Sequence, residues 1–306
     1  LKIIFLTSRF PYPLEKGDKL RAFNQIIELS ESHEIHLISI SEDDVDKTSL
    51  EKLREYTSSM FIIRITPFER FVSLFQSVTS GLPFQIAWFY SNSINKIISD
   101  RIIATAPDHI FCQLPRMAEY CMDLPYKKTL DYMDSFGIGM KRRAAVARGL
   151  TSIVYKLEAS RMIRYEARIA GNFDNLTIIS KQDKDLFTFE KSKEIIVLNN
   201  GISADYFSFE GDNSKKYDLV FVGNMSYLPN IEAVEYLTSK IIPLFHYKLK
   251  VLIAGANPHR RIRKLAHENI KISGWVEDIR TAYASAKIFV APIWSGTGQQ
   301  NKILEA

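Results

Sequence analysis

KIFVAPIWSGTGQQNKILEA, residues 287–306, reads as a buried strand, a loop of small residues and the first turns of a helix. Lys287 to Ile293 is a short apolar run rich in β-branched residues, the composition of a parallel strand covered on both faces. Pro292 has no amide hydrogen, so ladder pairing should stop near it. Gly296, Thr297 and Gly298 allow positive φ and close backbone approach. A helix starting near Gln299 and running through Asn301 would then aim free amides at whatever lies above the loop. That is an anion site suited to phosphate. Lys302 and Glu305 are three residues apart, on one helical face at the mouth of the same site. The cation suits a diphosphate and the carboxylate suits vicinal sugar hydroxyls. An ordinary strand-to-helix turn with a surface Lys and Glu has the same local sequence, so the rest of the chain must decide.

Working back from this stretch, apolar strand patterns at 218–223, 249–255 and 270–275 alternate with helical ones at 229–244, 258–267 and 278–286. The first half alternates in the same way. Strands are expected at 2–8, 34–41, 60–66, 109–114, 128–132, 176–180 and 194–199, and helices at 18–30, 48–56 and 183–189, with Asp18 as an N-cap. This is the pattern of an α/β protein with two Rossmann-like, doubly wound parallel sheets. The polar, Gly-containing connector GISADYFSFEGDNSKKY marks the boundary, so residues 1–200 form one domain, 201–216 a linker and 217–306 a second domain. Ligands bind beyond the carboxyl ends of such strands, in the cleft expected where the two sets of strand ends face each other. Gln113 and Asp134 are therefore candidates for the cleft wall.

The chain of 306 residues is 46% hydrophobic, a soluble globular composition. No apolar run reaches the length of a membrane span, and the first residues open directly into a strand with no basic leader, which points to a cytoplasmic protein. Cys112 and Cys121 fit neither a disulfide framework nor a metal site, and the six histidines show no ligand spacing, so no metal is expected. Between Phe136 and Gly171, eight basic residues (Lys141, Arg142, Arg143, Arg148, Lys156, Arg161, Arg164 and Arg168) face only Glu158 and Glu166. Such a run is either a solvated helix face or the mark of an anionic partner, such as a membrane surface or a phosphorylated substrate. With little aromatic interleaving, it does not suit nucleic acid. The segment 68–106 is mostly helical and aromatic, with Phe68, Phe71, Phe75, Phe84, Trp88, Phe89 and Tyr90. Core packing is its default explanation, and an apolar surface for a lipid-linked acceptor or a bilayer is the other.

The phrases FVGNMSYLPNIEAVEYL, VLIAGANP, ISGWVEDIRTAYASAKIFVAPI and GTGQQNKILEA resemble the donor half of GT-B glycosyltransferases, more closely the group 1 family of retaining sugar-nucleotide transferases. NNGISADYF, from Asn199 to Phe207, is similar to the family's interdomain connector. RFPYPLEKGDKLRAFNQ resembles the first loop of a bacterial exopolysaccharide-associated subgroup. The resemblance implies a GT-B enzyme that moves a sugar from a nucleotide-diphosphate sugar, bound by the second domain, to a glycan or lipid-linked acceptor on the first, in cell-surface polysaccharide synthesis. It would work in the cytoplasm or on the inner face of the membrane, with no cofactor besides the donor. Glu305 matches the family glutamate that takes the ribose hydroxyls, Lys302 the basic position before it, and Gly296 to Gly298 the diphosphate loop. Gly17 matches the first-domain loop that closes over the phosphates.

The chain departs from the family pattern in several places. The donor-domain Arg and Lys after the first strand fall at Asn224, just past Gly223, and at Pro229; the first glutamate of the paired motif falls at Thr297; the first-domain histidine falls at Gln113 or Asp134. Charge compensation would then come from Lys302 and from Arg9, Lys16, Lys19 and Arg21. The sequence ends at LEA inside a predicted helix, where the family continues, which implies an incomplete second domain. A non-catalytic nucleotide-sugar or glycan binding protein on the same fold is the main alternative. A GT-B epimerase would want acids and histidines clustered in the cleft, and no such cluster is legible.

Overall fold

The computed structural model describes residues 1–14, 16–42, 44–202, 206–211, 214–294 and 299–306. Packing divides the chain into two compact units, Leu1–Asn199 and Asn200–Ala306.

Seven strands of the first unit form one parallel sheet: β1 (Lys2–Thr7), β2 (Glu34–Ser41), β3 (Ser59–Arg64), β4 (His109–Gln113), β5 (Lys127–Asp131), β6 (Asn175–Ile178) and β7 (Ile196–Val197), in the order β3-β2-β1-β4-β5-β6-β7. Strand β1 shows why the sheet must be covered twice. Its side chains alternate across the sheet and both sets are buried. Ile3 and Phe5 pack under α1 (Gly17–Ser30) and α2 (Lys47–Arg54), with Phe5 stacked on Phe111 at 4.8 Å. Ile4 and Leu6 belong to the larger opposite core, which takes in Ile98 and Ile102 from a helix at Asn92–Thr105 and Met162 and Ile169 from one at Leu150–Ala170.

The helices begin where local chemistry satisfies their first amides. Thr66 and Glu69 form a capping box at the start of α3 (Pro67–Ser80), and Gly81 ends it in the left-handed region at φ 75°. Asp46 caps α2 through the Ser49 amide. Helix α1 starts one residue earlier than the sequence suggests. Lys16 occupies its N-cap with no side-chain bond, and Asp18 lies inside the first turn, where it accepts from Arg9 instead.

Five further α-helices follow in this unit among the described residues: α4 (Phe84–Ala87), α5 (Asn92–Thr105), α6 (Phe136–Val146), α7 (Leu150–Ala170) and the single turn α8 (Lys181–Lys184), which stops short of the helix expected at 183–189. The two acids of the basic segment both turn inward. Glu158 accepts from the Phe84 and Gln85 amides at 2.9 Å each, holding the start of α4. Glu166 accepts from Phe136 at 2.7 Å and from Gly137 at 3.3 Å, holding the start of α6. Burial pushes the Glu166 carboxyl up to about 8 against the pull of those amides. The aromatic segment does not behave as one core block. Phe89 is buried, whereas Phe68, Phe71 and Phe75 on α3 are 75%, 70% and 73% exposed.

The second unit holds a four-stranded parallel sheet of β8 (Tyr217–Val222), β9 (Val251–Ala254), β10 (Ile270–Gly274) and β11 (Ala286–Phe289), in the order β10-β9-β8-β11. Leu219 and Phe221 of β8 pack with Ile231 and Val234 of a helix at Leu228–Tyr236, and Val220 and Val222 pack with Ala282 on the other face. The expected helix at 258–267 is a single turn, Arg260–Arg263, and β11 stops short of Pro292. Gly255, at φ 144°, is needed where β8 and β9 end together, because a Cβ there would lie 1.8 Å from the Gly223 carbonyl oxygen.

Deep in the first unit, Arg21 is buried and donates to Asp131 at 2.6 and 3.2 Å, and Asp131 also accepts from Gln25 and Thr177. Replacing Arg21 with Met leaves that carboxylate buried without its cation, and should cost about 3–5 kcal/mol of stability in urea unfolding. The double variant Arg21→Met/Asp131→Leu should recover most of the loss. A single-variant cost below about 1 kcal/mol would show that the pair does not hold the sheet to α1.

Candidate functional site

In the second sheet β9 and β10 lie on one side of β8 and β11 on the other, so the chain leaves β8 and β11 in opposite senses and a crevice opens beyond their carboxyl ends. Gly223 and Asn224 follow β8, and helix Asn301–Glu305 follows β11. Lys302 Nζ donates to Asn230 Oδ1 at 2.6 Å and sits 5.1 Å above the Phe221 ring. It is so close to Gly223 that a Cβ there would be 3.0 Å from Nζ and 2.7 Å from Asn230 Nδ2. Asn230 also donates to the Asn224 carbonyl at 2.8 Å, tying strand end to helix. The Asn224 side chain is engaged in its own turn, accepting from the Ser226 amide and hydroxyl.

Glu305 Oε2 accepts from the Tyr283 hydroxyl at 2.9 Å. Burial raises its pKa, against the Tyr283 bond and the Lys302 charge; burial also lowers Lys302 to about 8, with Glu305 opposing. The Tyr206 hydroxyl nearby is pushed up to about 12 by burial and then by Glu305. Gln299 and Asn301 are both bonded to Asn200. Gln299 Oε1 accepts from the Asn200 amide at 3.0 Å, and Asn301 Oδ1 from the Asn200 side chain at 2.8 Å. Gly296, Thr297 and Gly298 lie outside the described residues. Asn230 and Tyr283 escaped sequence reasoning. Their only signal is a polar side chain in each of two helices whose neighbours are apolar.

The corresponding crevice in the first sheet lies between β1 and β4. Gln113 is buried there, and its Nε2 donates to the Asp18 carbonyl at 2.8 Å, so its amide holds the first turn of α1 rather than lining an open wall. Asp134 follows β5, its amide bonded to the Tyr132 carbonyl at 2.8 Å. Of the four cations assigned to a donor diphosphate, Arg21 cannot serve, because it is buried against Asp131. Arg9 pairs with Asp18 at 2.6 Å, and Lys19 donates to the Tyr12 carbonyl at 3.4 Å. Arg9, Lys16 and Lys19 share a cavity of about 220 Å³ with Glu42, Asp44 and Asp46. Gly17 is the first helical residue, and a Cβ there meets nothing within 4 Å in its own unit. Arg116, just after β4, was not singled out by the sequence and lies over the rings of Phe89 and Phe136.

Residues 216–306 match the family model described as Glycosyl transferases group 1. No curated protein matches the chain by sequence. Among solved structures it is similar to TarM (TM-score 0.63, 10% identity, 100% of this chain and 82% of that one). It is also similar to an Escherichia coli structure titled trehalose-6-phosphate bound with UDP-2-fluoro glucose (0.62, 12%, 100% and 81%) and to a glycosyltransferase from Rickettsia africae ESF-5 (0.57, 14%, 95% and 73%). At these identities the likeness is one of fold: α/β with parallel sheets, as in GT-B glycosyltransferases.

Because the Tyr283 hydroxyl lowers the Glu305 pKa, Tyr283→Phe should raise that carboxyl further above the ordinary range. A side-chain carbon NMR titration of Glu305 in both proteins would show it. An unchanged midpoint would mean that Tyr283 does not orient the carboxylate.

Proposed function

We propose that the chain transfers a sugar from a nucleotide-diphosphate sugar, with retention at the anomeric carbon, to a glycan or lipid-linked acceptor in cell-surface polysaccharide synthesis. The observation that carries this is Lys302, bonded to Asn230 and packed against Gly223, with Glu305 one turn on and bonded to Tyr283, inside the segment that matches the group 1 family. Lys302 would neutralise the departing diphosphate together with the amides of the 296–298 loop, and Glu305 would take the ribose hydroxyls. The bond from anomeric carbon to diphosphate oxygen breaks, the acceptor oxygen bonds on the same face, and its proton passes to the departing phosphate. Asp134, just past β5, would stand on the acceptor side, where a carboxylate can orient an attacking hydroxyl. A binding protein without turnover is the second reading, favoured by Arg9 and Arg21 already being paired within their unit.

Lys302 decides between occupied and idle forms of this site through its charge. It is charged below about 8 and neutral above, so affinity for UDP should be full at pH 7 and fall by up to about tenfold per pH unit above 8. Lys302→Met should weaken UDP binding and remove that dependence. Glu305→Gln should cost about 1.5–3 kcal/mol of UDP affinity at pH 7 and move the Lys302 dependence to lower pH, because Glu305 opposes the lowering of Lys302. Calorimetric titration checks all three, and wild-type affinity in either variant would take that residue out of the site. Release of UDP with an acceptor present, against mere binding, separates transferase from binding protein.

An anionic membrane surface is a further proposed partner of the first unit. Phe68, Phe71, Phe75 and Val78 form one exposed row on α3, and Val146, Leu150, Ile153 and Val154 are exposed around the α6–α7 junction. Lys141, Arg142, Arg143, Arg148 and Lys156 flank that junction, while Glu158 points inward. Each basic residue near an anionic surface contributes about 1 kcal/mol, screened by salt. Vesicles containing phosphatidylglycerol should therefore float the protein at low salt, and Phe71→Ser/Phe75→Ser should reduce recovery. Equal recovery with neutral vesicles would assign the basic run to a solvated face.

A further inference from the structure

Arg116 is the first unit's most unusual cation. It lies in the turn Pro115–Tyr120 directly after β4, at the edge of the crevice between β1 and β4, and Leu114 before it is bent to φ 69°. Its guanidinium lies 4.8 Å from the centroid of Phe89 and 4.8 Å from that of Phe136. Nε is sealed from solvent and has no hydrogen-bond partner among the described residues. No carboxylate of a described residue lies within ion-pair distance of it.

Contacts to ring faces hold a guanidinium without using its donors, because the N–H bonds lie in its plane and point outward from its edge. A planar fork so presented matches two oxygens of a carboxylate or phosphate. Across the same Phe89 ring, Arg9 lies 5.5 Å from the centroid, so two cations converge on one aromatic side chain. Burial and then Arg9 lower Arg116 to about 10, with Asp18, Asp134 and Glu42 opposing, and it stays charged at neutral pH. Ser8, immediately after β1 in the same crevice, has a buried hydroxyl with no partner among the described residues, a second polar group left open there. A cation desolvated beside another cation, with its donors open, is costly in the empty protein, and an incoming oxyanion relieves that cost.

We infer that Arg116 is an oxyanion site of the first unit, with the Asp18-paired Arg9 beside it, and that the oxyanion is a phosphate or carboxylate carried by the sugar acceptor. The inference deepens the transferase reading by giving the acceptor a chemical class, and it rests on that reading only for the word acceptor. The donor has its own cation in Lys302 on the other unit.

The test titrates the full chain with inorganic phosphate, glucuronate and UDP at constant ionic strength, with chloride as the reference anion, following heat and thermal midpoint. Phosphate or glucuronate should bind saturably where chloride does not, and whichever binds more tightly identifies the acceptor's group. Arg116→Gln should weaken that binding about ten- to hundredfold, and Arg116→Lys, which keeps the charge and loses the fork, should fall between. UDP affinity should be unchanged in both, and a cooperative thermal transition of each ligand-free variant, together with its circular dichroism, reports that the first unit is folded. Oxyanion binding no better than chloride in the wild-type chain overturns the site, whatever the variants do. Undiminished oxyanion binding in Arg116→Gln, or in Arg116→Lys if Gln does not fold, overturns the role of Arg116. Loss of UDP affinity in a folded Arg116→Lys protein would assign the fork to the donor and overturn the acceptor class. If the wild-type chain fails to bind UDP, the transferase reading fails, and the oxyanion titrations still decide this one.

Discussion

A parallel strand buried on both faces leaves a ligand nowhere to bind except beyond its carboxyl end, and that constraint places the chemistry of both units. From Ile3 to Leu6 of β1, alternate side chains enter one core and the rest enter the other, so none of them is available to solvent. Gln113 is the last residue of β4, and Arg9, Arg116 and Asp134 follow the ends of β1, β4 and β5. In the second unit Gly223 follows β8, and Lys302 reaches back to within contact of it. Gly255 matters for the same reason: β8 and β9 can end side by side only because no side chain stands between them.

How each cation is held determines whether it can meet a ligand. A carboxylate holds a guanidinium by occupying its donors, as Asp131 does to Arg21, and such an Arg becomes part of the scaffold. An aromatic face holds it without occupying them, as Phe89 and Phe136 do to Arg116. Both side chains belong to the same unit and both have lost most of their contact with water, yet only the second has its fork open. The acids of the basic segment follow the same logic in reverse. Glu158 and Glu166 are used on helix amides inside the unit, so neither opposes the outer cations of α6 and α7, of which Arg168 pairs with Glu119 instead.

Much of this was legible in the sequence. Apolar runs of β-branched residues marked the strands, because that pattern depends on neighbours in sequence. The Lys302–Glu305 spacing put both on one short helix by the same local rule. What could not be read depends on partners far along the chain. Arg21 and Asp131 are 110 residues apart, so Arg21 looked like one more cation of a basic loop. Helical spacing groups Phe68, Phe71 and Phe75 on one face of α3, but whether another element covers that face is a tertiary fact, and none does among the described residues. Asn230 and Tyr283 were missed because each acts through a side chain more than twenty residues away.

Lys302 and Glu305 show what a site prepared for a ligand requires. Burial drives both toward their neutral forms, while each charge supports the other. Left to themselves, two flexible side chains in that situation would swing out to water. Asn230 fixes the ammonium from one side, Tyr283 fixes the carboxylate from the other, and the absence of a side chain at Gly223 leaves room for the ammonium. The desolvation is therefore met in the folded protein before a ligand arrives. In the proposed donor site, a diphosphate beside Lys302 would add negative charge where a cation is already fixed, and hydroxyls beside Glu305 would add donors where a carboxylate is already oriented. Neither side chain has to be ordered at the moment of binding, so the interaction is not reduced by that entropy.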